Sequence, residues 1–243
     1  MSTPAAIAEK SVLVLIPAFN EGRSAIGVAT SVLNLGSAYR PLVIDDGSID
    51  PIDPKDLPRG ALFFRCPFNA GIGVATHIAF DHAIARGYDY VVRLDGDGQH
   101  PAERVPDVLA PLLRDEADLV AGIRINHGQG SGLRRMAKSY YAGVASMLTG
   151  GKAPIDVNTG LFGANLAAIR RLSALDLERF PEPQMFVSAC RMGLRVTSIE
   201  IAQSPRDSGA SSLSPLRALA MFYRFHLFVI EWLLESGRSW LAR

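Results

Sequence analysis

Residues 88–101 read YDYVVRLDGDGQHP, and the way this run changes character half-way decides the fold. Its first half, YDYVVRL, is rich in β-branched and aromatic residues and reads as a strand. Its second half places Asp95 and Asp97 around Gly96, then Gly98, Gln99 and His100, at the point where the strand must stop. A buried strand that ends in two carboxylates and two glycines suits an α/β sheet, because ligands of such sheets gather at the carboxyl ends of the strands.

Working outward, residues 11–17, SVLVLIP, form a continuous apolar run that ends in the turn PAFNE, as expected of a strand covered on both faces. A helix should open at Asn20 or Glu21 and run to about Leu35. The next strand, 41–44, stops at DDGS. Beyond the proline-rich loop 51–58 come a strand at 61–64, a helix at 71–86 and the strand at 88–94. Strand and helix alternate, which predicts a doubly wound, mostly parallel sheet flanked by helices, a Rossmann-like nucleotide-binding half. The second half is less regular: a helix at 103–115, a strand at 118–123, a helix at 134–149, strands or loops at 160–165, a helix at 185–192 and a strand at 194–201. Three strand ends, PAFNE, DDGS and DGDGQH, should therefore converge on one crevice.

Composition bounds the partners. The chain has 243 residues, 48% hydrophobic and 20% charged, enough for one domain with a full core plus an appended element. Its formal net charge is +1 with scattered basic residues, so no nucleic-acid footprint is visible. Cys66 and Cys190 lie far apart in apolar contexts, without the spacing of a zinc site, and read as buried free thiols of a reducing cytoplasm. The start, MSTPAAIAEK, lacks the pattern of a signal peptide and reads as a frayed tail over 1–10. The most apolar window, 216–234, is interrupted by Arg217, Arg224, His226 and Glu231, which argues against a transmembrane span.

Several residue types could carry chemistry. Carboxylates spaced as Asp95 and Asp97 can both reach one hard cation, or one can do so through water, and Gln99 and His100 add polar contacts. Asp45 or Asp46 could accept from a nucleobase or hold a ribose hydroxyl, although Asp46 or Ser48 alone suits a helix cap better. Gly71 and Gly73 open a helix after a strand, where backbone N–H groups favour an anion. Arg206, Ser211 and Ser212 belong to RDSGASS, a hydroxyl-rich loop whose guanidinium could pair with a diphosphate.

In order, LVLIPAFNE, LVIDDGSID, NAGIGVATHIAFDHAIARGYDYVVRLDGDGQHP and FPEPQMFVSACRMGLRVTSIEI resemble the inverting family 2 glycosyltransferases with the GT-A fold. Within that family the chain is most similar to bacterial polyprenyl-phosphate glycosyltransferases and relatives of dolichol-phosphate mannose synthase. The resemblance spans about 11–213 as the GT-A domain and leaves 214–243 as an extension. It implies that Pro17, Ala18 and Glu21 line a base and ribose pocket, with Asp45 on the nucleobase and Asp46 beside it. It implies Mg²⁺ or Mn²⁺ on Asp95, Asp97 and Gln99 at the donor diphosphate, and Arg206, Ser211 and Ser212 reaching its phosphates. Glu182 falls where hydroxyl-using relatives carry an acceptor base. Two departures bear on the acceptor: relatives often read SGFR where this chain has Thr159, Gly160, Leu161 and Phe162, and PEPE where it has PEPQ, with Gln184 in the acidic place.

The implied reaction takes a sugar from a nucleoside-diphosphate-sugar to a lipid phosphate or glycan, in cell-envelope polysaccharide or glycolipid synthesis. A nucleotidyltransferase would show a glycine-rich basic phosphate loop near the N-terminus, and PAFNEGRS is a poor version of one. A non-catalytic nucleotide-binding protein would not need the intact paired aspartates. The segment 214–238 predicts one helix, with Ser214 as its N-cap and Pro215 in its first turn. Arg217, Arg224, Glu231, Glu235 and Arg238 make a narrow polar stripe on an otherwise apolar wheel, which suits a homodimer contact better than a membrane surface. The expected location is the cytoplasm, with the inner face of the cell membrane as the place of any peripheral contact.

Overall fold

The computed structural model describes residues 10–124, 132–177, 181–201 and 215–241. The chain divides into two compact units, Met1–Pro205 and Arg206–Arg243.

In the first unit, β1 (Val12–Ala18), β2 (Tyr39–Asp45), β3 (Leu62–Arg65) and β4 (Tyr90–Arg93) alternate with α1 (Gly22–Asn34) and α2 (Ile72–Arg86). There follow α3 (Val105–Leu113), β5 (Leu119–Arg124), α4 (Gly132–Thr149), β6 (Phe162–Asn165), α5 (Leu166–Leu172), α6 (Glu182–Arg191) and β7 (Val196–Ile201). The seven strands lie in the order β3-β2-β1-β4-β6-β5-β7. All neighbours are parallel except β6, which runs antiparallel to β4 and to β5. The expected α/β, mostly parallel sheet is thus the observed one.

Every residue of β1 is buried, which accounts for its unbroken apolar run. Its register pairs Ala18 with Asp45, and that of β4 pairs Arg93 with Leu15. The carboxyl ends of β1, β2 and β4 therefore finish together. A core cluster beneath them joins Val14, Ile16, Val43, Val92, Leu94 and Leu109. Both cysteines are free and buried, as expected.

Two local features depart from the sequence reading. Helix α6 begins at Glu182, three residues before the expected Met185, because Pro183 is tolerated in a first turn. The sequence periodicity does not announce α5, whose seven residues are too few to show a helical period. Its start is fixed by Asn165, whose side-chain oxygen accepts from the Ala168 N–H at 2.8 Å.

The second unit contains α7 (Pro215–Leu241), a single helix of 27 residues covering the expected 214–238 segment. It carries exposed Leu219, Phe222, Tyr223, Leu227, Ile230, Leu233 and Leu234. Among the described residues, no helix is long and apolar enough to cross a membrane.

Candidate active site

Four loops at the carboxyl end of the sheet are locked to one another. The β1 and β2 loops are tied through Asn20, which sits at φ 59°. Its N–H donates to Ser48 Oγ at 2.9 Å, and its side-chain oxygen accepts from the Ile49 N–H at 2.9 Å. Asparagine tolerates this left-handed backbone better than most residues, which is a reason for that residue type here. The β2 loop is tied to the segment before α2 by Asp46. Its Oδ1 accepts from the Ala70 N–H at 2.8 Å, and its Oδ2 accepts from the Gly71 N–H at 2.9 Å and from Asn69 Nδ2 at 3.0 Å.

The Asp46 carboxylate thus takes up the Ala70 and Gly71 N–H groups that lead into α2. Gly71, at φ 102°, lets the backbone turn its N–H groups toward that carboxylate. Asp45 is wholly buried and holds the same loop from beneath, accepting from the Ser48 N–H at 2.9 Å and the Ile52 N–H at 3.3 Å. Asp45 and Asp46 thus fasten the loops around the pocket, and both carboxylates expected to face a nucleotide are engaged by backbone amides. Beside them, burial and then the charges of Asp46 and Asp45 push the Cys66 thiol up, which keeps it neutral and unreactive.

The paired aspartates meet the β1 loop at Gly96. A methyl group there would lie 2.7 Å from the Pro17 carbonyl oxygen and 3.4 Å from Glu21 Oε2. Only glycine permits this approach, so the DGDG turn, Pro17, Ala18 and Glu21 form one continuous wall. Asp97 accepts from the Gln99 N–H at 3.0 Å, and the Gln99 amide donates to its other oxygen. Gln99 and His100 are themselves buried and anchor the end of the turn in the protein.

Arg93 is a residue that the sequence reading passes over. It closes β4, is 2% exposed, and its guanidinium spans two carboxylates. Nη2 donates to Asp95 Oδ1 at 2.9 Å, and Nη1 donates to Glu182 Oε1 at 2.6 Å. Burial opposes its charge, but Glu182 and Asp95 outweigh that penalty and hold the guanidinium above its ordinary pKa. Glu182, the candidate base, is thus 7% exposed and tied to an arginine. A signal was available: an arginine inside a run of buried apolar residues must be paired.

Gly160 stands on the far side of Asp95. Because β6 is antiparallel to β4, the segment entering β6 lies at the carboxyl end of β4. A methyl group on Gly160 would overlap the Asp95 carboxylate. Asp95 is therefore held between the Arg93 guanidinium and a bare backbone. Arg206, Ser211 and Ser212 lie outside the described residues.

Asp95 and Asp97 supply hard oxygen donors of the kind Mg²⁺ and Mn²⁺ take, in a turn whose backbone is open to close approach. Among the described residues no group of three or more His, Cys, Asp or Glu could hold a metal by itself. That arrangement fits a cation held by one or two carboxylates that shares its remaining positions with phosphate and water.

The sheet is doubly wound with one antiparallel strand, and its acidic turn lies at the carboxyl edge, where ligands of such sheets bind. The model of glycosyl transferase family 2 matches residues 13–197, and the chain belongs to that family. It is 27% identical over 215 residues to polyprenol monophosphomannose synthase of Mycolicibacterium smegmatis, covering 83% of this chain and 80% of that one. It is 29% identical over 227 residues to undecaprenyl-phosphate 4-deoxy-4-formamido-L-arabinose transferase of Salmonella paratyphi B, covering 88% of this chain and 66% of the relative. Among solved structures, glucosyl-3-phosphoglycerate synthase from Mycobacterium tuberculosis, in complex with Mn²⁺, UDP and phosphoglyceric acid, superposes with a TM-score of 0.70 at 22% identity. That match covers 96% of this chain and 80% of the other. The fold is GT-A and the protein is a glycosyltransferase.

Proposed function

We propose that the protein transfers a sugar, with inversion, from a nucleoside-diphosphate-sugar to a polyprenyl-type lipid phosphate, with Mg²⁺ or Mn²⁺ at Asp95 and Asp97. The observation that supports this reading most is the close approach of the DGDG turn to Pro17 and Glu21, which sets the paired aspartates beside the residues proposed to line the nucleotide. The acceptor class is supported by the two transferases named above, whose names specify polyprenol or undecaprenyl phosphate products. A divalent cation is supported by neighbours that hold Mn²⁺ together with UDP or UDP-glucose.

Pro17, Ala18 and Glu21 form the proposed base and ribose wall, while Asp45, Asp46 and Gly71 keep its loops in place. Asp95 and Asp97, with Gln99 steadying Asp97, face the diphosphate. When bound, the cation offsets charge on the departing nucleoside diphosphate. The bond from the anomeric carbon to the diphosphate oxygen breaks as a bond from an acceptor phosphate oxygen forms on the opposite face. A phosphate monoester has a second pKa of about 6, so this nucleophile is largely ionised at neutral pH and no base is required. Glu182 is needed as a base only if a hydroxyl attacks.

Thermal shift with UDP, GDP, dTDP and CDP, each with and without Mn²⁺, tests the site, because a ligand that binds only the native state raises its stability. Release of the matching nucleoside diphosphate on adding polyprenyl phosphate then tests the reaction. With that acceptor and saturating metal, Glu182→Gln should lower kcat less than about tenfold, against roughly 10²- to 10⁴-fold for a hydroxyl acceptor. No metal-dependent shift with any of the four nucleotides would sink the reading.

For α7 we propose contact with a second copy of the chain. Its exposed apolar side chains include Leu219 and Leu234, each 65% exposed, and its exposed charges Arg224 and Glu231 are of mixed sign. Light scattering before and after removal of 214–243, with liposome flotation alongside, tests this. Loss of a dimer supports it, whereas an unchanged monomer, or flotation that depends on the helix, overturns it.

A further inference from the structure

The buried arginine between Asp95 and Glu182 has a role that neither packing nor base catalysis explains. A fully buried guanidinium is a poor device for stability, since well-packed apolar residues in its place are often as stabilising. Here its Nε is also buried without a hydrogen-bond partner among the described residues. Its two terminal nitrogens are both committed, at 2.9 Å to Asp95 and at 2.6 Å to Glu182. These two carboxylates come from distant parts of the chain, one from the turn after β4 and the other from the first turn of α6.

The electrostatic consequence follows from the count of charges. Arg93 alone beside Asp95 would cancel its charge and make it a weak ligand for a cation. With Glu182 on the other side, the three groups together keep a net charge of −1, and that charge faces the crevice through Asp95, whose side chain is 30% exposed. The Glu182 side chain, at 10%, lies on the inner side.

Resting on the proposed metal and nucleotide site, we infer that Arg93 and Glu182 are positioning residues that act through Asp95. Arg93 fixes the carboxylate against Gly160, and Glu182 cancels the arginine's charge so that Asp95 stays an effective cation ligand. Glu182 thereby serves donor and metal binding, before any acceptor arrives. Outer-sphere partners of this kind typically alter metal affinity about 10- to 100-fold when removed.

The test is a titration of Mn²⁺ into the full-length protein with UDP, GDP, dTDP or CDP present and no acceptor. Free Mn²⁺ is read from its electron paramagnetic resonance signal, and Tm is measured on the same samples. Glu182→Gln is expected to weaken Mn²⁺ binding about tenfold or more. Arg93→Met combined with Glu182→Met removes both opposing charges and leaves Asp95 backed by Gly160. It restores the charge balance but not the arginine's hold on the carboxylate, so it should bind Mn²⁺ more tightly than Glu182→Gln without regaining the parent's affinity. If Glu182→Gln fails to fold, Arg93→Lys carries the test. It keeps the charge but cannot bridge both carboxylates, and should also bind about tenfold more weakly. Parent-like affinity in Glu182→Gln, or in Arg93→Lys where that variant replaces it, overturns the inference and leaves the proposed function standing. So does a double variant that binds no better than Glu182→Gln, or than Arg93→Lys where that variant replaces it. A parent that binds no Mn²⁺ with any of the four nucleotides overturns both.

Discussion

Two arginines each bridge two carboxylates, at opposite ends of the same sheet, and they do different work. Arg93, at the carboxyl end of β4, is 2% exposed and joins Asp95 to Glu182. Arg195, entering β7 at the other end, has a side chain 47% exposed and joins Asp115 to Asp118. Asp118 also accepts from the Arg195 N–H at 2.9 Å and from Asn165 Nδ2 at 3.0 Å, so it pins the entry to β5 and β7 against the exit of β6. Water screens the second cluster and can replace any partner it loses. The first has no such reserve, so its geometry is held tightly and its failure is expensive. The comparison teaches that burial, not the number of ion pairs, separates a site-forming cluster from a fastening one.

The widest gap between the two ends should appear in activity. Asp97→Ala and Asp95→Ala are expected to lower transfer by roughly 10³-fold or more while the chain still folds, because each removes a charge at a crevice and not a core side chain. Initial rates beside Tm check this, and full activity in both variants would defeat the metal-site reading.

Breaking the arginines themselves comes next. Arg93→Met should destabilise the fold by about 3–5 kcal/mol, since it leaves the buried Glu182 and the partly buried Asp95 without a counter-charge. Arg195→Met at its exposed site should cost far less, because water can solvate the carboxylates it leaves. Urea denaturation of both variants decides it; equal losses would erase the distinction drawn here.

Gly160→Ala sharpens the same contrast without changing any charge. Crowding at Asp95 should destabilise by about 1–3 kcal/mol, as overpacking does, and the metal-dependent nucleotide shift should disappear. A variant that keeps that shift in full would show that Asp95 does not need its place against Gly160.

The smallest effect is expected at the far end and depends on pH. Hydrogen bonding by the Arg195 side chain, against the opposing effect of burial, holds the Asp118 carboxyl down at about 2. A carboxyl depressed in the folded state contributes stability above its unfolded pKa of about 3.9, and loses it as pH falls toward the folded value. Asp118→Asn should therefore lower Tm at neutral pH and flatten the fall in Tm between about pH 4 and pH 2. Parallel Tm curves for the two proteins across that range would contradict the assignment.

The alternation of apolar runs and helical periods, with polar turns closing three strands, was sufficient to read the α/β sheet and the edge where those strands end together. Physically, strands buried on both faces must be continuously apolar, and their ends must then announce themselves by contrast. The antiparallel β6 was not legible, because TGLFGAN carries no mark of strand direction. The helix at 166–172 was too short for periodicity to show. At the site, the pattern of residues picked out Asp95, Asp97 and Gln99, the family resemblance added Pro17, Ala18 and Glu21, and the structure brings the DGDG turn against the β1 loop. Asp45, Asp46 and Gly71 were expected as ligand contacts; the structure shows Asp45 bonded within its own loop and Asp46 bonded to the Ala70 and Gly71 N–H groups.

By itself, then, the sequence determined the layers of the sheet, the shared edge at which its strands end and the acidic turn, since each is written in the order of nearby residues. Only the tertiary structure decided the partners of the charges. Arg93 and Glu182 are separated by 89 positions, and nothing in either neighbourhood specifies the other. Their meeting depends on where α6 starts over the end of β4. A buried charge demands a counter-charge, but that demand does not say which acid meets it, and only the packed chain supplies the answer.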